Sequence, residues 1–472
     1  MSTYLTWTLF ILVVAGVGLG DFGPTEGGVL HVDGLAQVMW IAVTFFSGIV
    51  QSFSRRYMAA DRHQARFFGR ILLFTVAVLV MTAANHVALF LGAWTAMGLV
   101  MARLIGHVER WEQATEAGRI ARRYFLAGSV LLSVGVSLLV VETNATTITG
   151  VVEGLDAVSA APSVLATGFV LAAAFVQSAL LPFHRWLLSS MTAPTPSSAL
   201  MHAGFVNAGG VLLSRFAPLF AGETNLMLLI VVAGVSSSLV AQAMMLVQPT
   251  YKGRLGCSTI AQMGFMILQC GLGFFAAAVT HLIVHGFYKA YLFLSTGSQV
   301  EATVPTTTNH DGIDLGPRAV ALVTAIAGGA VFAILSGKGL DPTSTGIFLT
   351  VVVVIALFQG ASQVLADRSL SPLVRLFGLP VVALPAIALY ALCYNAVSGL
   401  MHDVPLVHAP MEMSAAHWAL LGLFVVGHVA VELGWLQRSQ RLYVALLNAT
   451  QPDSRTIPAR HRDMDAGDSS SS

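Results

Sequence analysis

Three residues share one apolar stretch at a spacing that suits proton transfer. In GFFAAAVTHLIVHGFYKAYLFLSTGS, His281, His285 and Lys289 recur at every fourth position. At about 100° and about 1.5 Å per residue, positions i, i+4 and i+8 form one slowly rotating stripe about 12 Å long. A histidine exchanges protons near neutral pH and a desolvated lysine can release one, so such a stripe can hold water and pass protons. Core histidines with one snorkelling lysine would explain any one of these residues more readily than all three. The pair also has a metal-ligand spacing, but no acidic or thiol residue accompanies it, so a metal site is not indicated.

Other ionisable residues lie in apolar surroundings, where a charge costs roughly 2.5–3.5 kcal/mol or more. In LLPFHRWLLSSMTAPTPSSALMHAG, Pro182 ends one stretch, Pro194 and Pro196 precede the next, and Ser197 or Ser198 can cap the new helix. That places His202 one to two turns inside. Taken alone, His202 is more ordinarily a packed core residue than a relay. Lys252 follows Pro249, where an interfacial anchor is the plain role. Lys338 sits in ILSGKGLDP beside two glycines, and His428 and Glu432 are spaced to pair on one helix, either as a neutralised link or for transport.

The elements that must carry these residues are membrane helices. The chain has 472 residues, 56% hydrophobic and only 10% charged, against about 25% charged in typical soluble domains. Its 24 basic and 23 acidic residues nearly cancel, which argues against a nucleic-acid partner. Only three of the basic residues are lysine. Arginine does not release its proton and lysine can, so the lysines mark places where a proton must come off. An arginine-favouring codon bias explains the ratio equally well, but not the lysines' positions. Cys257, Cys270 and Cys393 lie in apolar segments without CxxC spacing and are most simply core residues.

Fourteen apolar stretches, near 4 to 20, 30 to 53, 67 to 84, 87 to 106, 124 to 141, 163 to 181, 197 to 216, 225 to 247, 254 to 272, 274 to 298, 318 to 336, 345 to 366, 374 to 396 and 415 to 436, predict an all-α polytopic membrane domain over residues 1–436. The first has no Lys or Arg before it and is followed at once by another, so it is expected to be a membrane helix rather than a signal peptide. Connections after even-numbered spans hold the arginines, among them Arg55, Arg56, Arg119, Arg122, Arg185 and Arg368. The opposite ones hold Glu142, Asp156, Glu223 and Asp403, with Lys338 as the only base. Both termini are therefore expected on the cytoplasmic side. The mixed segment from His107 to Arg123 predicts an interfacial helix there. Residues 437–472 predict a cytoplasmic tail whose end, from Asp465, is disordered.

From Leu181 to Leu213 the pattern P-x-H-x-W-L…PTP-x-SAL-x-HAG resembles the proton-conducting, antiporter-like subunits of complex I and of multi-subunit cation/proton antiporters. The likeness continues in YKGRLGCSTIAQMGFM, HLIVHGFYKAYLFL, VDGLAQVMW and SRRYMAADRHQARFF. It implies two inverted five-helix repeats, here near 67–216 and 225–366, each with a discontinuous helix. It also implies roles in a proton path. His202 matches the channel histidine after the PTP turn and Lys252 a basic residue of the linking loop. His281, His285 and Lys289 match the central relay, and Lys338 the lysine of the distal broken helix.

Two positions depart from that pattern. Thr95, in LGAWTAMGL, stands where the pumping subunits have a glutamate, and Gln177 where they have a lysine. Neither can hold or release a proton at physiological pH, so ordinary pumping by the first half is not expected. These changes, with the wording around LVMARLIGH, look more like DabB-type membrane subunits of two-component inorganic-carbon accumulation systems. That resemblance implies a bacterial inner-membrane protein with no cofactor of its own. Its implied partner is a large DabA-like subunit, similar to a zinc-dependent β-carbonic anhydrase, on the cytoplasmic face. Cation flow, of H⁺ or Na⁺, would drive one-way hydration of CO₂ to bicarbonate at that partner's zinc. An ion-exporting subunit of a complex I-like or antiporter assembly and a non-conducting membrane anchor are the alternatives.

Overall fold

The computed structural model describes residues 1–20, 28–221, 223–297, 315–337, 341–366, 377–406, 409–432 and 439–456. Lys338, Arg368 and the expected disordered end lie outside these. The described chain is nearly all helix. The first helices are α1 (Ser2–Leu19), α2 (Gly34–Tyr57), α3 (Gln64–Ala83), α4 (Val87–Ile105) and α5 (Glu112–Thr143). A short α6 (Ile148–Glu153) precedes α7 (Ala160–Gln177). Five-residue α8 (Arg185–Ser189), α9 (Thr195–Ala203), α10 (Ala208–Arg215) and α11 (Ala217–Ala221) follow in broken succession. Then come α12 (Thr224–Val247), α13 (Tyr251–Gly271), α14 (Phe275–Leu294), α15 (Leu315–Leu335), α16 (Gly346–Ala366), α17 (Leu379–Leu400), α18 (Ala415–Glu432) and α19 (Gln440–Ala449).

Helix is found in the described part of all fourteen apolar stretches, and the seventh is split between α9 and α10. Among the described residues, nine helices are long and apolar enough to cross a membrane: α1 to α5, α7, α12, α15 within Arg318–Leu335, and α17. The expected interfacial helix over 107–123 is corrected. Residues 107–111 form a turn, and 112–123 are the first turns of the 32-residue α5. That helix is about 48 Å long, so it outreaches a hydrocarbon core of about 30 Å and carries its charged start beyond it.

Local chemistry fixes several ends. Asp33 accepts from Ala36 N at 2.9 Å to cap α2, and Thr250 accepts from Gly253 N at 3.2 Å to cap α13. A second carboxylate, Asp403, accepts from Gly34 N at 3.0 Å and so ties the loop after α17 to the start of α2. Gly34 is needed there, because a Cβ would fall 1.7 Å from Leu400 O. At the opposite end of α2's bundle, α19 and the turn after it are docked rather than loose. His184 Nε2 meets Ala449 O at 3.0 Å, Gln248 Nε2 donates to Thr450 O at 3.2 Å, and Asp453 N donates to Ser189 Oγ at 3.0 Å. Arg455 adds a 3.3 Å ion pair to buried Glu116 near the start of α5.

Candidate functional site

The site begins with the break between α7 and α10. Prolines 194 and 196 force a new start, but the expected serine cap is corrected. Helix α9 begins at Thr195 with Pro194 in the cap position and no side-chain cap bond, leaving Ser197 and Ser198 inside the first turn. The helix ends at Gly204, and a 3₁₀ turn over Phe205–Asn207 leads into α10. A turn at this depth leaves carbonyls without helical partners, and neighbours supply them. Gln177 Nε2 donates to Phe205 O at 3.2 Å, Ser178 Oγ to Val206 O at 2.9 Å, and Asn207 Nδ2 to Ala203 O at 2.8 Å. Phe125 packs edge-on against both Trp186 and Phe205, with ring centroids 4.8 and 4.6 Å away, and holds the broken segment against α5.

His202, two turns into α9, is fully buried. Its Nδ1 lies 3.0 Å from Thr259 Oγ1 on α13, and that hydroxyl donates its hydrogen to Leu255 O at 2.9 Å. With the Thr259 hydrogen so used, Nδ1 is the donor and Nε2 is left as a bare acceptor with no partner among the described residues. The same Leu255 carbonyl accepts from Lys289 Nζ at 3.2 Å, and Ser258 Oγ takes a second Lys289 bond at 2.9 Å. One carbonyl thus joins the histidine of α9 to the lysine of α14. The His202 ring also stacks on Phe293, 4.2 Å between centroids.

Helix α14 turns its whole polar stripe inward. His281, His285 and Lys289 are buried, while Val284, Phe287, Tyr288 and Tyr291 on the other side are exposed. The two imidazoles lie nearly parallel, 5.6 Å apart, and Phe265 meets His281 edge-on at 5.0 Å. Neither nitrogen of His285 has a protein partner among the described residues, nor does His281 Nε2. Close helix approach makes the row possible: at Gly286 a Cβ would sit 2.8 Å from Ala203 O of α9 and 2.7 Å from the Phe46 ring of α2. Four titratable side chains from two helices therefore share one buried seam, bridged by α13.

Comparison with known proteins gives the family of the chain. The family model for the transmembrane part of NADH:quinone oxidoreductase and Mrp antiporter subunits matches residues 84–365, and that for the N-terminus of complex I chain 5 matches 29–68. The chain belongs to this antiporter-like family of membrane subunits. It is 37% identical over 310 residues to the probable inorganic carbon transporter subunit DabB1 of Halothiobacillus neapolitanus, covering 62% of this chain and 53% of the relative. It is 33% identical over 301 residues to NADH-quinone oxidoreductase subunit L of Mycobacterium tuberculosis, covering 62% and 46%. The chain thus spans about half the length of these curated relatives. Its fold matches a chain of the Mrp complex from Dietzia sp. DQ12-45-1b with a TM-score of 0.57 at 23% identity, over 95% of this chain and 49% of that one. The resemblance to DabB-type subunits and the membrane class expected from sequence agree with these findings.

The remaining residues separate from the seam. Of the two positions expected to depart from the family pattern, Thr95 Oγ1 donates to Leu91 O of its own helix at 2.8 Å, and Gln177 serves the break as described. Lys252, in the first turn of α13, lines a crevice of about 620 Å³ with Tyr57, Thr195, Tyr251 and Thr296. The structure brings it to the Lys289 end of α14 but joins it to the row by no hydrogen bond among the described residues. Lys338 lies outside the described residues, as does the side chain of Glu432. His428 Nδ1 lies 2.8 Å from Phe424 O on its own helix.

Sequence reasoning missed a part-buried ion pair between Arg215, at the end of α10, and the α2 cap Asp33. Arg215 NH2 also donates to Thr82 O at 2.7 Å, locking α2, α3 and α10 together. Asp33 was visible in VDGLAQVMW, but its partner stands 182 positions away. Among the described residues, no group of three or more His, Cys, Asp or Glu is placed to hold a metal.

Proposed function

We propose that this chain is the proton-conducting membrane subunit of a two-part inorganic-carbon accumulation system. Its proton path runs through His202, Lys252, His281, His285 and Lys289, with Lys338 serving the distal side. The observation that carries this is the buried seam in which one backbone carbonyl links Lys289 to the His202–Thr259 pair while three imidazoles keep unpartnered nitrogens. Unpartnered ring nitrogens can receive and release protons without first breaking a protein hydrogen bond. Likeness to curated subunits named for inorganic carbon transport supplies the setting.

In this reading the hydration of CO₂ belongs to a zinc-dependent, carbonic-anhydrase-like partner docked on the cytoplasmic side of the inner membrane, where both termini of this chain also lie. One charge moving down 100 mV releases about 2.3 kcal/mol, so one proton per turnover biases hydration by roughly fifty-fold. The test is co-expression with the partner in a strain lacking carbonic anhydrase. Growth in air that a protonophore abolishes is the expected result. Growth that survives the protonophore but requires Na⁺ would replace the proton with sodium. The likeness to a complex I subunit favours a second reading, an ion-exporting subunit of a larger assembly. In that case the pair would not restore growth.

A further inference from the structure

The titratable row has an obvious inner end at Lys289, but at His281 it stops six residues into α14, still buried. A polar group lies just beyond it on α13. Phe265 touches the His281 ring, and Gln269 sits one turn further along the same face of α13, a step of about 6 Å. Gln269 is buried and its Oε1 has no partner among the described residues. Two unpartnered polar atoms, His281 Nε2 and Gln269 Oε1, thus border one stretch of the α13–α14 seam.

Gln269 also interacts with the Tyr390 hydroxyl of α17, a helix that packs on α14. Tyr390, Tyr394 and Ser398 are spaced i, i+4 and i+8, repeating on α17 the stripe geometry of α14. The Tyr394 side chain interacts with that of Ser398. Beyond Ser398 the helix ends at Leu400, and the exposed carboxylate of Asp403 sits at the start of α2, the end of the bundle remote from Lys289.

We infer that α17 carries the outward leg of the proton path, with Tyr390, Tyr394 and Ser398 as a hydroxyl ladder and Gln269 positioning water between His281 and its first rung. The inference rests on the conducting role proposed above. A hydroxyl donates and accepts at once, so each rung takes a proton on one lone pair as it gives its own to the next, and no rung stays charged. Asp403 receives the proton at the mouth. Gln269 is a positioning residue: its amide orients water and is not itself protonated.

The test is proton flux into proteoliposomes holding the complete complex, comparing Tyr390→Phe, Tyr394→Phe, Gln269→Leu, Gln269→Glu and His285→Leu. Phenylalanine keeps the packing of ring 390 on Phe332, 5.9 Å away, and removes only the hydroxyl. The ladder predicts about a tenfold loss for each Tyr→Phe change, the weight of one hydrogen bond to a migrating charge. Gln269→Leu should lose as much and Gln269→Glu, which keeps an acceptor in place, should recover most of it. If His285→Leu abolishes flux while both Tyr→Phe variants conduct normally, the ladder is wrong and the parent reading stands. Full flux in His285→Leu overturns the parent reading and the ladder with it.

Discussion

The break around α9 and the row on α14 both bury polar groups in apolar surroundings, and they differ in which groups they leave unpaired. At the break, Gln177 and Ser178 are each spent on a carbonyl that the interrupted helix leaves bare. Thr95, at the other altered position, closes on its own helix. In the row, His202 Nε2, His281 Nε2 and both nitrogens of His285 face no protein partner among the described residues. A buried unpaired polar group costs about 1–3 kcal/mol, and the fold bears that cost repeatedly along one seam. The carbonyls bared by the interrupted helix are closed by neighbours, although Ser197 Oγ and Asn207 Oδ1 there keep no partner among the described residues, and four unpartnered ring nitrogens lie on α14 and its contact with α9.

The sharpest way to break the comparison is Lys289. Lys289→Met should reduce proton flux by about 10²-fold or more if the amine carries the proton, and Lys289→Arg should fail as well because a guanidinium does not let its proton go. Recovery with arginine would show that charge alone matters. Gln177→Leu should do the reverse: thermal unfolding should show a loss of about 1–3 kcal/mol from the bared Phe205 carbonyl, with flux in the remaining folded protein unchanged. Gly286→Ala couples the two regions, since its methyl would push α14 from Ala203 and Phe46. Overpacking of about 1–3 kcal/mol is expected, together with reduced flux. Thr95→Val should shift stability by no more than about 0.5 kcal/mol and leave flux intact.

The smallest effect lies outside both regions. In the loop between α4 and α5, His107 is held between Arg70, 3.2 Å from Nδ1, and Asp61, 3.3 Å from Nε2. Burial pushes its pKa below the ordinary 6.5, against the opposing pull of Asp61. The unfolded chain therefore binds the proton more readily, so this contribution is complete above about pH 6.5 and fades as pH falls below it. Melting temperature should drop on acidification through that range, and less steeply in His107→Gln.

The stripe on α14 was legible because every-fourth spacing fixes it within one helix, and the place of the break was legible because three prolines punctuate it. What the row connects to was not. Thr259, Leu255 and Lys289 meet His202 only through packing of α9, α13 and α14, and Arg215 finds Asp33 across 182 positions. Gln177 reads in sequence as a missing lysine, whereas its service to Phe205 O depends on a 3₁₀ turn that no local signal announces. Charges over 112–123 suggested a helix lying at the surface. They instead sit on the protruding start of α5, where Glu116 pairs with Arg119 and Arg455.

The most direct test sets the two regions against each other in one assay: proton uptake by proteoliposomes containing the complex, with Gln177→Leu and His285→Leu measured side by side at equal folded protein. The account predicts wild-type uptake for the first and background uptake for the second. Uptake lost in Gln177→Leu and kept in His285→Leu would place conduction at the break and contradict it.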